Sequence, residues 1–163
     1  MSALDLVRYN HHLWKRFADF YVQKCTWEEL SHNHETSHQS IANVSMHAIN
    51  MEDWFLHYVL PGKEWDGPKW DGFRDAPSMQ ARVREVTAKT ESFLKGRKPA
   101  DLSKEVTLHW GGGKTSKTTL ETLLHEVVNE ATHHRGEVLA MLWRIDKEPP
   151  YESYLEWKTA QPT

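Results

Sequence analysis

The sequence predicts an all-α four-helix bundle, and three observations carry that expectation. Four segments repeat apolar residues at three- and four-residue steps, the period of a helix with one buried face. Breaks such as Pro61-Gly62 and Pro149-Pro150 close two of them. Two-residue alternation, the mark of a strand, is confined to residues 106–110.

The first helix is expected over residues 4–25, with Leu6, Tyr9, Leu13, Phe17, Phe20 and Tyr21 along one side. Thr26-Trp27-Glu28-Glu29 then matches a helix N-cap followed by a short acidic turn. Residues 31–39 are polar, hold His32, His34 and His38, and have a loop's composition. A second helix over 40–60 repeats Ile41, Val44, Ala48, Met51, Phe55 and Tyr58. Residues 63–77, rich in Gly, Pro, Trp and Asp, read as a long irregular loop, a kind of segment that is often functional in compact domains. The third helix, 78–95, carries Val83, Val86, Thr90 and Phe93, and 96–103 is a connector. Alternation at 106–110 ahead of Gly111-Gly112-Gly113 predicts a short hairpin near 104–117. The last helix, 118–145, is lined by Leu120, Leu123, Leu124, Val127, Val128, Ala131, Val138, Met141 and Leu142. The tail, 151–157, has enough aromatic residues to dock back on the body. No repeat or low-complexity tract interrupts this order, and one domain is expected over 1–163. The loops are long enough that up-and-down connectivity is not forced.

A chain of 163 residues can bury a core without a covalent staple. Only 39% of it is hydrophobic, but eight Trp, five Tyr and five Phe supply large buried areas. The net charge of −3, from 20 basic and 23 acidic residues, argues against a general nucleic-acid binder. It leaves a local basic patch open. Cys25 stands alone, which excludes an intrachain disulfide framework and a Cys-rich zinc site. A partly buried thiol near a helix end is expected there rather than a nucleophile. The first six residues show no basic segment followed by an apolar run, so no signal peptide is expected. No stretch approaches about 18 apolar residues, so no membrane span and a cytoplasmic location are expected.

Eleven histidines set the functional question, since histidine is the commonest metal ligand. On the last helix Leu123, Val127, Glu130, His134, Val138 and Met141 form one stripe at helical steps. Glu130 and His134 thus stand within an apolar face, four residues apart, close enough to converge on one ion. A buried carboxylate without a partner costs several kcal/mol or is protonated, so something must compensate it. On the second helix Val44, His47, Met51, Trp54 and Tyr58 form a facing stripe, which makes His47 a candidate third group. Two imidazoles and one carboxylate suit Zn²⁺, Fe²⁺, Ni²⁺ or Mn²⁺ and leave positions for water and substrate. An ordinary buried hydrogen-bonded Glu–His pair satisfies the same spacing.

Asn129-Glu130-Ala131-Thr132-His133-His134-Arg135-Gly136-Glu137 resembles the last-helix signature of the DinB/YfiT-like superfamily, typically H-x-x-x-H-R-G-Q. Tyr9-Asn10, Ser40-Ile41 ahead of His47, Pro149-Pro150 and Tyr154-Leu155 fall in the order that family has, over nearly the whole chain. The resemblance implies four helices in up-down-down-up order, often as a homodimer. It also implies a divalent metal held by three ligands, which map to His47, Glu130 and His134. Most members have His where this chain has Glu130. A smaller branch, resembling mycothiol-dependent maleylpyruvate isomerase, has Glu there. The carboxylate makes the site harder and more anionic, favouring Zn²⁺, Mn²⁺ or Fe²⁺.

Around these three, His133 is expected near an interface or behind the ligands, and His125 on the surface or facing a dimer partner. Arg135 is expected in a salt bridge with a carboxylate across the bundle, and Gly136 at a close helix approach. His32, His34 and His38 are expected in a solvated segment. His57 is a minor candidate for the pocket mouth, and Trp54, Tyr58 and Trp110 are candidates for the pocket wall or for plain core. The first functional expectation is a metal-dependent enzyme acting on a small-molecule substrate, of the thiol-dependent transferase or isomerase type that the resemblance implies. A low-molecular-weight thiol is then a second cofactor. The alternatives are a metal-dependent hydrolase, or a non-catalytic metal-binding dimeric scaffold or stress protein. DNA binding rests on the family's historical name alone, and the acidic balance argues against it.

Overall fold

A computed structural model describes residues 2–161. Among these the chain forms α1 (Ala3–Lys24), α2 (Trp27–Ser31), α3 (Ile41–Trp54), α4 (Ala76–Leu94), α5 (Pro99–Leu102), β1 (Glu105–Gly111), β2 (Lys114–Thr119), α6 (Leu120–Arg144) and α7 (Tyr154–Thr159). The fold is therefore mostly helical with one small antiparallel sheet.

Side-chain caps set the helix starts. Ser2, Ser40, Asp75 and Thr119 each accept a hydrogen bond from the backbone N–H three residues on, which satisfies a donor that the first turn leaves free. Thr26 and Glu29 close a reciprocal capping box around α2. The second long helix departs from a plain α-helix, because Phe55–Val59 forms a π-helical turn after α3. Such a turn carries an extra residue and shifts the faces that follow. The short helices α5 and α7 lie in segments whose composition predicts only a connector and a tail.

Each long helix packs on two others, α1 on α4 and α6, and α3 on α4 and α6. Between α1 and α4, His11 meets Glu91 and Asp19 meets Gln80. Between α1 and α6, Asn10 meets Arg135. Between α3 and α4, Asn50 meets Arg82 and Glu52 meets Thr90. Between α3 and α6, His47 meets His134, and just before α3 Thr36 meets Met141.

Two buried apolar clusters result. One gathers Trp14, Phe17, Tyr21, Ile41, Ile49, Met79, Val83, Val138 and Met141. The other gathers Val7, Phe55, Leu56, Leu94, Leu108, Leu123, Leu124 and Val127. Each fully buried large apolar side chain contributes about 1.5–3 kcal/mol. The hairpin docks through Leu108, the buried residue of β1. Its turn runs through Gly111, Gly112 and Gly113 at φ 85, 56 and 76, where a side chain would be strained. On α6, Val127 belongs to one cluster and Ala131 to the other, so Glu130 lies at the passage between them.

Several charged groups inside are paired. Both ring nitrogens of buried His11 meet carboxylates, Glu52 at 2.8 Å and Glu91 at 2.9 Å, and Thr90 also donates to Glu52. Two N–H donors require an imidazolium. Burial alone would lower the His11 pKa, but the charge and hydrogen bonds of Glu52, then those of Glu91, raise it to about 9. Buried Asp53 holds Arg82 at 2.6 Å and Lys89 at 2.7 Å.

Candidate metal centre

Helix α3 presents His47 and α6 presents Glu130 and His134, and one ligand atom from each lies within 4.8 Å of the other two. The Glu130 carboxylate stands 3.6 Å from His134 Nε2. That is too long for a hydrogen bond. It is close to the spacing of about 3.4 Å between two ligands set tetrahedrally at about 2.1 Å from zinc. The simple hydrogen-bonded pair that the spacing also allowed is therefore not formed. His134 is buried and His47 half-buried. Glu130 is shallower than its stripe predicts, with 30% of its side chain exposed, because it flanks exposed Asn129 and His133. Residual hydration covers part of the desolvation cost that full burial would impose.

The imidazoles are prepared as lone-pair donors. Burial lowers the His47 pKa to about 4, with His38 and His134 adding to the effect. The ring is neutral at pH 7. His134 Nδ1 faces Glu137 Oε2 at 2.8 Å. With its proton on Nδ1, His134 donates to Glu137 and leaves Nε2 free toward Glu130. This carboxylate-on-histidine arrangement orients a ligand and raises its basicity. Burial raises the Glu137 pKa, but hydrogen bonds from His134 and Ser37 outweigh it and hold the carboxyl below its usual range. His133, His134 and Glu137 also lie near one another, but exposed His133 stands behind the centre, its ring 4.9 Å from that of His134.

His38 corrects the expectation of a solvated segment. Its ring stacks on His47 at 3.9 Å and lies edge-on to Trp70 at 5.1 Å and His134 at 5.5 Å. The loop turns in because Glu35 and Gln39 adopt φ 59 and 70, and Gln39 accepts from His34 N–H at 2.6 Å. Ser37 Oγ donates to Glu137 at 2.9 Å and lies 3.1 Å from His38 Nδ1. Glu137 was not singled out from the sequence, although it stands three positions after His134 on the same helix face. Ser37 and His38 carry no periodic signal that reveals their position.

A groove of about 500 Å³ begins at His47 and is lined by Met51, Trp54, Trp65, Pro68 and Trp70. Trp54 thus lies in a pocket wall, whereas Tyr58 and Trp110 do not line this groove. Tyr58 points to Asp66, and Trp110 lines an adjoining depression at the hairpin that shares Trp54 and Trp65 with the groove. His57 borders yet another depression and its Nε2 is buried without a partner among the described residues. Arg135 does meet a carboxylate, but from the tail: Glu152 at 3.1 Å, with Asn10 beside it. Gly136 is exposed, and a Cβ there would meet nothing within 4 Å, so no close helix approach depends on it. His125 is exposed. Cys25 caps α1, half-buried, and burial pushes its thiol up to about 11.

Fold and site together define a helical protein with a His/Glu/His cluster between two of its long helices. The DinB superfamily model matches residues 10–138, and the chain belongs to that superfamily. The structure is similar to the crystal structure of a DinB-like protein from Bacillus cereus ATCC 10987, with a TM-score of 0.72 and 19% identity, over 93% of this chain and 95% of that one. At that identity the likeness concerns the fold alone. No curated protein matches the sequence. No helix among the described residues is long and apolar enough to cross a membrane.

Proposed function

We propose that His47, Glu130 and His134 hold one divalent metal ion, and that the chain is a metal-dependent enzyme acting on a small molecule. The observation that carries this reading is the convergence of three donor atoms from α3 and α6 within 4.8 Å. The donor set fits a zinc-like ion: two imidazoles, and one carboxylate to offset part of the ion's charge. When bound, the ion supplies Lewis acidity toward a donor atom of a substrate or a small thiol. Glu137 keeps the His134 proton on Nδ1, so Nε2 stays available. The indoles beside His47 give the approach an apolar wall. The resemblance to the mycothiol-dependent branch, through Glu130, favours thiol-dependent transfer or isomerisation over hydrolysis.

Finer features of the architecture belong to the same reading. We take the long helices as one domain, a four-helix bundle in up-down-down-up order. Contacts rising along one helix and falling along its partner support an antiparallel pair. His11 with Glu91 and Asp19 with Gln80 support this for α1 and α4. Thr36 with Met141 and His47 with His134 support it for α3 and α6. Asn50 with Arg82 and His57 with Phe93 rise together, which supports parallel α3 and α4. A homodimer is favoured by the exposed apolar side chains Trp143, Tyr151 and Leu155, of which Trp143 is 59% exposed.

The test is metal content after purification and dialysis, for the native chain and for His47→Ala, Glu130→Ala and His134→Ala. One ion per chain is expected for the native protein and a large loss for each variant. Unchanged content in all three overturns the site. Metal-loaded protein is then assayed with small thiols and electrophilic substrates, where metal-dependent turnover is expected. A scaffold role follows if metal binds and no thiol-dependent or hydrolytic turnover is found.

A further inference from the structure

We propose that the groove running from His47 past Trp54, Trp65 and Trp70 is the substrate pocket, and that it takes a small planar aromatic molecule carrying an oxygen or sulfur metal-binding donor. This rests on the metal reading above and adds the chemical class of the ligand. The groove's volume, about 500 Å³, lies within the range of small-molecule sites. Its walls are three indoles from two parts of the chain: Trp54 ends α3, and Trp65 and Trp70 come from the segment between the π turn and α4. Met51 and Pro68 complete an apolar surface. Flat walls of this kind favour a flat apolar body, through offset stacking and edge contacts.

The walls are held in place. Asn50 Nδ2 donates to the Pro68 carbonyl at 2.8 Å, while Asn50 Oδ1 accepts from Arg82 at 3.1 Å. Trp65 packs on Tyr58 at 4.7 Å, and Trp70 packs on His38, which stacks on His47. A pocket formed before the ligand arrives loses less entropy on binding. The indole N–H groups of Trp54, Trp65 and Trp70 donate to no acceptor among the described residues, and all three side chains are partly exposed. Trp110, by contrast, gives its N–H to Ser116.

Charge at the groove argues against a polyanionic ligand. Lys69 is matched by Asp71 on the same rim, so a phosphate-rich molecule finds no surplus of positive charge. His47 lines the groove and belongs to the candidate metal cluster, so the groove meets the cluster there. An aromatic body with one donor at its end satisfies both parts.

The test compares benzohydroxamate with acetohydroxamate on zinc-loaded protein, by calorimetry and tryptophan fluorescence, with metal content measured on the same samples. The two probes share a metal-binding group and differ in the ring. Benzohydroxamate is expected to bind about tenfold tighter or more, beyond the ratio the free ion gives, as burial of a phenyl ring requires. Trp65→Ala is expected to lose most of that preference with metal content and acetohydroxamate affinity unchanged, and Trp65→Phe to restore it. Bound zinc with equal affinity for the two probes overturns the pocket proposal alone. Protein that holds no zinc and binds neither probe overturns the metal reading with it.

Discussion

His134 has two ring nitrogens with different tasks, and Glu137 separates them. The 2.8 Å contact at Nδ1 fixes the proton there and turns Nε2 toward Glu130. Glu137→Gln keeps the size of the side chain but removes the charge that supports His134 as a donor. We expect about a tenfold loss of zinc affinity, measured by chelator competition, with little change in thermal stability. An unchanged affinity contradicts the role given to Glu137. His47, Glu130 and His134 could be grouped from the sequence because helical spacing set each on a largely apolar stripe and the family resemblance mapped its ligands to the same three. The depth of Glu130 was not, since a stripe defines a face and not how far water reaches along it. His38 escaped because position in an aperiodic loop depends on two left-handed backbone residues, Glu35 and Gln39. Neither is a glycine, the residue type that marks such turns.

At the scale of elements, α6 carries two of the three candidate ligands, and its start is set by Thr119. The hydroxyl of Thr119 accepts from Thr122 N–H at 3.2 Å, directly after β2. Thr119→Ala is expected to cost about 1 kcal/mol. In a chain of this length that lowers Tm by roughly 2–4 °C, read by calorimetry. Zinc stoichiometry should stay the same, since the cap lies about three turns from Glu130. No change in Tm means that the hairpin alone fixes the helix start. The four long helices were readable because their apolar period continues for several turns. The π turn at Phe55–Val59 was not, because one extra residue leaves the apolar pattern nearly intact while it rotates the face. Trp54 lines the groove and Tyr58, within the π turn, does not. The short helices α2, α5 and α7 are too brief to show a period, and only the Thr26 capping sequence announced one of them.

Across the whole molecule, stability depends on how charges are kept inside a core of modest apolar content. His11 ties α1 to α3 and α4 through Glu52 and Glu91, and its folded pKa is about 9 against an ordinary value of 6.5. A raised pKa stabilises the fold fully below about pH 6.5, and that contribution is lost as pH rises through about 9. The loss amounts to up to about 3 kcal/mol. Urea unfolding between pH 6 and pH 10 should show it, and His11→Gln should flatten the alkaline limb. An equally steep limb in that variant assigns the dependence to other groups. Nothing in the sequence revealed this network: His11 lies on a helix whose apolar stripe explains itself without it, and its partners come from two other helices. The same architecture brings α3 and α6 together at the candidate centre.

Anomalous diffraction at the zinc edge from zinc-loaded crystals addresses that centre most directly. One strong peak per chain is expected, about 2.0–2.2 Å from one atom each of His47, Glu130 and His134. A peak at His32 and His34, a peak on the far side of His134 between His133 and Glu137, or no ordered peak would contradict it.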